Sequence, residues 1–477
     1  MTKSSIAQGT IYLTAASFVF LLGGYILNIF LGRFLGPSGF GIYGIIITIV
    51  GIINIVQTSG LPQAVAKYVS EQAEQREEIL LTGIRIQFYT TAVMTALFVL
   101  FAKQIAFALH DESIYPYLLL AACIPPVYSF LSLYSGFYNG LHDFRMQAIM
   151  QAIYAVAKVT AVLIASSFLH LTGAIIGSII APLSALLYGV YTPHPKAKPF
   201  PAATMLRYSY PLIASAFLYT LLQSIDIFFI KAILKSNTGA GLYTASQTIA
   251  EIPNFALGAF ATVLFPNISY HHKRGELEHI RSISQKTLRY VLMLLLPFVM
   301  TIAVTSEKIL QVLYSHAYTP AAPTLSILVY AAGTLTLFGI FTHILNAVGK
   351  PGTTLGITFL GVAATAVSCI FLIPHFALNG AAYATLIGSV AATIVAWGLV
   401  YKAYGVYLPP VQLIRIVIAS SVAAYTASLL PFQNFALPLT YGIAAIIYGL
   451  ILIITKEVTD DDWHLMLSMT PWNKTKI

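Results

Sequence analysis

The chain has 477 residues, 58% of them hydrophobic and only 9% charged, where soluble domains carry about 25% charged residues. That composition excludes a soluble enzyme or binding domain and defines a polytopic membrane protein. The net charge of +9 is scattered over short connections between apolar runs, which suits orientation in a membrane and argues against nucleic acid as a partner.

At roughly 20 apolar residues per spanning helix, the chain has room for about fourteen helices. It begins MTKSSIAQGT with no small-residue cleavage site after a short apolar core, so the first span is expected to be retained. Spans are predicted over 10–34, 39–68, 80–103, 115–139, 146–169 and 173–192, then over 207–234, 239–269, 284–305, 321–347, 353–375 and 379–402. A final pair is predicted at 411–430 and 436–455. The expected fold class is an all-α polytopic membrane protein. It comprises a six-helix lobe (1–192), a basic cytoplasmic linker (193–206), a second six-helix lobe (207–405), an extra helix pair (406–456) and a cytoplasmic tail (457–477). The polar stretch HHKRGELEHIRSISQKTLR (271–289) reads as a helix lying at the cytoplasmic surface. Cys123 and Cys369 each sit in an apolar run, which argues against a disulfide framework.

The two lobes read as copies. Residues 16–35 lie over 214–233 without a gap, setting Ser17 on Ser215, Asn28 on Asp226 and Arg33 on Lys231. Gly41 and Tyr43 match Gly241 and Tyr243, and Gly173-Ala174 matches Gly380-Ala381. Six spans per copy start both on one side, so a parallel pseudo-twofold axis along the membrane normal is expected. Lys3, Arg76, Arg145, Lys196, Lys198, Lys273, Arg274, Arg281, Lys350, Lys402, Lys456, Lys474 and Lys476 fall on one side, against mainly Lys103, Lys235 and Lys308 on the other. Both termini are therefore predicted to be cytoplasmic.

A charge at the bilayer centre costs about 2.5–3.5 kcal/mol on insertion scales, so charges within spans usually face protein or a water-filled cavity. The bases in this position are Arg33, Lys67, Arg85, Lys158 and Lys231; the acids are Asp226 and Glu251. This excess of bases predicts a cavity of positive potential suited to phosphate or pyrophosphate. Arg33, Lys67 and Lys231 could equally snorkel to an interface, and Arg85 could simply orient its helix. Lys158 lies deeper in its span, snorkels less easily and is assigned to the cavity. Ser215, Tyr219, Gln223 and Asp226 form one helical stripe, with Asn28 in the matching stripe of the first helix. Asp226 is either a counter-ion or a coupling site. Glu251 stands beside Pro253, where it could bind an ion or a sugar hydroxyl or satisfy backbone groups freed by a kink. His343 and His375 lack partners at metal-ligand spacing, no metal or other cofactor is implied, and the absence of GxxxxGK[ST] argues against direct ATP drive.

The runs LGRFLGPSGFGIYG (31–44), SGLPQAVAKYVSEQ (59–72), YTPAAPTLSIL (318–328), ILNAVGKPG (344–352) and IPHFALNGAAYATLIG (373–388) resemble bacterial and archaeal polysaccharide-export flippases. These belong to the multidrug/oligosaccharidyl-lipid/polysaccharide exporter superfamily, and the matching runs cover nearly the whole chain in order. The resemblance implies two lobes around a cationic cavity that opens alternately to each side and takes the headgroup of a polyprenyl-pyrophosphate-linked oligosaccharide. Carried onto this chain, the candidate headgroup bases are Arg33, Lys67, Arg85 and Lys158, with Asp226 and Glu251 in the second lobe; Asn28, Tyr219 and Gln223, from the two polar stripes, are further substrate-binding candidates. Asp226 and Glu251 are the coupling candidates, for proton, Na+ or membrane potential. The final helix pair resembles that of lipid II flippases and the sporulation-protein group, where it forms a groove for the lipid tail. The expected protein is therefore a flippase of the cell membrane rather than an enzyme, with membrane lipids and polysaccharide assembly machinery as further partners. A lipid II flippase and a multidrug–cation antiporter are rival readings, and a third is a membrane-embedded glycosyltransferase or polymerase, for which Asp111-Glu112 and Glu307 are sparse carboxylates.

Overall fold

The computed structural model describes residues 3–193, 199–431 and 436–458. The linker bases Lys196 and Lys198 and the tail from 459 onward, with Lys474 and Lys476, lie outside the described residues. Within them the fold is all-helical with no strand, the arrangement that lets each segment satisfy its own backbone groups in hydrocarbon.

Among the described residues ten helical runs are long and apolar enough to cross a membrane, and three of these, over 14–71, 144–189 and 351–404, are about twice the necessary length. A straight helix of 54 residues would reach about 80 Å, against a hydrocarbon core of about 30 Å. Each long run is interrupted. α1 (Lys3–Thr58) breaks at Gly36 (φ 66°, ψ 175°), just before Pro37; α6 (Phe144–Gly189) breaks at His170 and α13 (Pro351–Tyr404) at Ala377.

Between these lie α2 (Leu61–Glu71), α3 (Arg76–Ala108), α4 (Tyr115–Ala121), α5 (Ile124–Gly140), α7 (Ala202–Leu234) and α8 (Asn237–Ala250). They are followed by α9 (Ile252–Lys273), α10 (Leu277–Val304), the short α11 (Ser306–Leu313) and α12 (Ala322–Ala347), with α14 (Pro410–Leu429) and α15 (Leu437–Ile454) after α13. The expected surface helix over 271–289 is not a separate element. Gly275, at φ +73°, turns the chain after α9, and α10 then runs without a break into its apolar half. The cause is periodicity: Ile280, Leu288, Val291, Leu292 and Leu295 continue one buried face across the polar start of α10.

The chain falls into two compact units, 1–248 with 361–385, and 249–360 with 386–477. Ile45, Ile46, Phe98, Leu118 and Ile227 share one buried core in the first unit, and Val65, Leu80, Leu133, Phe137 and Met205 share another. In the second unit α10 packs against α9, α12 and α14. There Arg289 Nε lies 3.0 Å from Oε1 of the buried Glu457, whose other carboxylate oxygen is 3.6 Å from Arg415 Nη1.

The duplication is visible as geometry inside the first unit. A Cβ on Gly41 would sit 1.9 Å from the Asn237 carbonyl oxygen, and a Cβ on Gly241 would sit 1.9 Å from that of Pro37. The contact is reciprocal, and only glycine permits it. The breaks also match: His170 has φ 49° and ψ −126°, and Ala377 has φ 47° and ψ −125°. Three residues after each break, Gly173 presses on the Ala165 carbonyl and Gly380 on that of Leu372.

Candidate functional site

Lys158, the predicted base set deepest in its span, contacts Tyr154, a ring that lines a cavity. Its helix, α6, packs along α1, and the Lys158 ammonium lies 5.7 Å from the centre of the Tyr154 ring, one turn earlier. Tyr154 is stacked on Phe20 at 5.7 Å and tilted against Tyr128 at 5.4 Å. The Tyr43 and Tyr128 hydroxyls also lie within electrostatic reach of Lys158. These rings wall a cavity of about 300 Å³ whose polar lining is Tyr128, Ser132, Ser135, Gln147, Gln151 and Tyr154. Gln147 accepts from Asn139 at 3.1 Å, and Gln151 donates to Ser17 at 3.3 Å. Aromatic faces, hydroxyls and amides beside one cation form a lining suited to a sugar ring carrying an anion. The volume is at the small end of ligand pockets.

The other predicted bases stand elsewhere. Lys67, on α2, lies 4.5 Å from the Tyr208 ring and 5.1 Å from that of Tyr68. Arg33 and Arg85 are exposed. Lys231 does not snorkel: its side chain is 1% exposed, and its ammonium donates to Asp111 at 2.7 Å and to Asn237. Asn28 donates to the Gly24 carbonyl of its own helix at 3.0 Å.

The α7 stripe is present as one helical face, with different surroundings at each end. Tyr219 is exposed, Gln223 is half-buried with its backbone carbonyl accepting from Gln247 at 2.7 Å, and Asp226 is fully buried. Asp226 receives the Tyr243 hydroxyl at 2.5 Å, the Thr385 hydroxyl at 2.6 Å and the Ile227 amide at 2.8 Å. Among the described residues these partners include no base, so the counter-ion alternative has no support here. Glu251, in the second unit, occupies the turn between α8 and α9, just ahead of the Ile252-Pro253 pair that opens α9.

Sequence reasoning missed Phe20, Tyr128 and Tyr154. The available signal was Tyr154 one turn before the deep Lys158, but convergence with Phe20 and Tyr128 is tertiary.

A second cavity, in the second unit, is different in kind. It has about 440 Å³ and is walled by Met293, Pro297 and Phe298 of α10 and by Tyr441, Gly442 and Tyr448 of α15. Its rim is fixed by Tyr448 donating to the Met293 carbonyl at 2.6 Å and by a 2.8 Å hydroxyl pair between Thr305 and Tyr441.

These features define an all-helical, multi-span membrane protein. The structure superposes on a lipid II flippase, MurJ, in an inward closed conformation with a TM-score of 0.76 at 14% identity, covering 94% of this chain and 99% of that one. It also superposes on an inward-facing multidrug resistance MATE transporter of the MOP superfamily with a TM-score of 0.70 at 12% identity, covering 83% and 98%. The model of the polysaccharide biosynthesis protein family matches residues 6–272, more than half the chain, and the protein belongs to that family. Among its relatives are the stage V sporulation protein B of Bacillus subtilis, 22% identical over 438 residues with 83% of each chain covered, and the probable low-salt glycan biosynthesis flippase Agl15 of Haloferax volcanii, 24% identical over 398 residues with 82% of each covered.

Proposed function

We propose that the protein is a flippase that moves a polyprenyl-pyrophosphate-linked oligosaccharide from the cytoplasmic to the outer leaflet of the cell membrane, with both termini cytoplasmic. The observation that supports this reading is a cavity walled by aromatic rings and lined by hydroxyls and amides, one of whose rings, Tyr154, has the Lys158 ammonium 5.7 Å from its centre. A pyrophosphate headgroup cannot enter hydrocarbon without replacing its water. Lys158 supplies charge to a phosphate oxygen, while Tyr128, Tyr154, Gln147 and Gln151 supply ring faces and hydrogen bonds to the sugar. The cavity between α10 and α15, within the second unit, has apolar walls suited to an isoprenoid chain. The family and the glycan-flippase relative favour this reading over cation antiport, as does a base rather than an acid at the cavity. Asp226 is the coupling site: two hydroxyls that can each donate or accept accommodate the carboxyl with or without a proton or small cation.

The test is binding, by native mass spectrometry, of a polyprenyl-pyrophosphate oligosaccharide, lipid II and a lipophilic cation to wild type, Lys158→Ala and Tyr154→Ala. Preference for the oligosaccharide lipid, weakened about tenfold or more in both variants, is expected. Preference for lipid II would move the assignment to the peptidoglycan precursor, and preference for the cation, unchanged in both variants, would overturn it.

A further inference from the structure

The polar turn between α9 and α10 lines neither cavity, yet it holds two imidazoles and a carboxylate in one place. His271, in the last turn of α9, has its Nδ1 2.5 Å from Glu276 Oε2. The His279 ring lies parallel to the His271 ring, with centres 5.0 Å apart and 6° between planes. One ligand atom from each of His271, Glu276 and His279 lies within 4.8 Å of the others.

The turn itself builds this convergence. Gly275 takes φ +73°, and the Glu276 amide donates back to the His271 carbonyl at 3.1 Å, which sets Glu276 beside the His271 ring. His279 then follows Glu276 at the i, i+3 spacing that puts both on one face of the start of α10. The Arg274 guanidinium lies 4.4 Å from the centre of the Tyr270 ring.

We propose that His271, Glu276 and His279 bind one divalent transition-metal ion of the zinc class, which ties the end of α9 to the start of α10. Two neutral imidazoles and one carboxylate are borderline nitrogen and oxygen donors, suited to Zn2+ and its neighbours and poorly suited to Mg2+ or Ca2+. With metal–ligand bonds of about 2.0–2.2 Å, tetrahedral ligand atoms stand roughly 3.3 Å apart, so the three side chains reach this geometry by small rotations about a metal placed between them. The fourth position falls to water or a further side chain.

The experiment uses full-length protein, purified without a polyhistidine tag in lipid nanodiscs, and Zn2+ as the probe in equilibrium dialysis. Wild type, Glu276→Gln and His279→Ala are compared, with Co2+ substitution as a second readout. Expected are one Zn2+ per chain lost by chelation and regained, affinity reduced about tenfold or more in each variant, and visible d–d bands of tetrahedral Co2+ in wild type alone. Equal Zn2+ binding in all three proteins, or no retained Zn2+ and no Co2+ bands in wild type, overturns the proposal. Both substitutions lie at a surface turn, and the Co2+ spectrum of wild type decides the matter even where a variant folds poorly.

Discussion

The buried base Lys231 is explained by its partners. Asp111 lies in the connection between α3 and α4; burial alone raises its carboxyl, but hydrogen bonds from Lys231, Ser113 and Asn237 outweigh this and hold it down at about 2. A carboxyl depressed in the folded state contributes stability that is complete above its unfolded value of about 3.9 and is lost as pH falls through the folded value. The apparent melting temperature in detergent should therefore be insensitive to this group above about pH 4 and fall from there towards about pH 2. Asp111→Asn should abolish that acid step. Lys231→Ala, which leaves Asp111 poorly paired, should cost on the order of 3 kcal/mol at neutral pH. Asp226 makes a contrasting case. Tyr243→Phe or Thr385→Val removes one hydroxyl from a buried carboxyl and should lower thermal stability by about 1–3 kcal/mol. Asp226→Asn keeps an acceptor and should preserve the fold while stopping coupled transport in proteoliposomes.

Among the helices, the paired breaks in α6 and α13 hold non-glycine residues in a backbone region that suits glycine. Replacing Ala377 with glycine should raise thermal stability by about 1 kcal/mol, since the strain outweighs the entropy that glycine adds. A fall in melting temperature would show that the turn is unstrained. The position of these breaks was legible in the sequence, and their form was not. The gaps between predicted spans at 35–38, 170–172 and 376–378 each contain a break, because a span of about 20 residues sets where a long apolar run must be divided. Gly36-Pro37 also announces its break by residue type. His170 and Ala377 do not, because the close approach at Gly173 and Gly380 depends on packing against the preceding helical segment. The predicted spans at 321–347, 411–430 and 436–455 lie within a few residues of α12, α14 and α15. The depth of Lys158 in its span was legible in the sequence. Its aromatic surroundings were not, since 29 Tyr and 28 Phe are spread through the chain and only the fold brings three together. Lys231 was ambiguous for the same reason: Asp111, its partner, is 120 residues away.

At the scale of the whole molecule, each unit holds a cavity of its own, polar near Lys158 in the first and apolar between α10 and α15 in the second. One offers charge, amides and ring faces; the other offers hydrocarbon contact. A substitution that fills only the second should therefore act on the carrier and not on the sugar. Gly442 is suited to this, because it lines the cavity and a Cβ there meets nothing within 4 Å. Gly442→Trp should leave the melting temperature near wild type and weaken binding of a long-chain polyprenyl lipid about tenfold, equivalent to about 1.4 kcal/mol. A short-chain analogue with the same headgroup should bind both proteins alike, and equal loss for the two would place the effect outside the tail.

The glycine crossing of α1 and α8 bears on descent. Pro37 meets Gly241 while Asn237 meets Gly41, the relation that identical chains make across a twofold axis. Within one polypeptide the two positions are encoded separately, yet neither is free to vary. A side chain at either position strikes the backbone that the other position also needs, so the two glycines are inherited as one constraint.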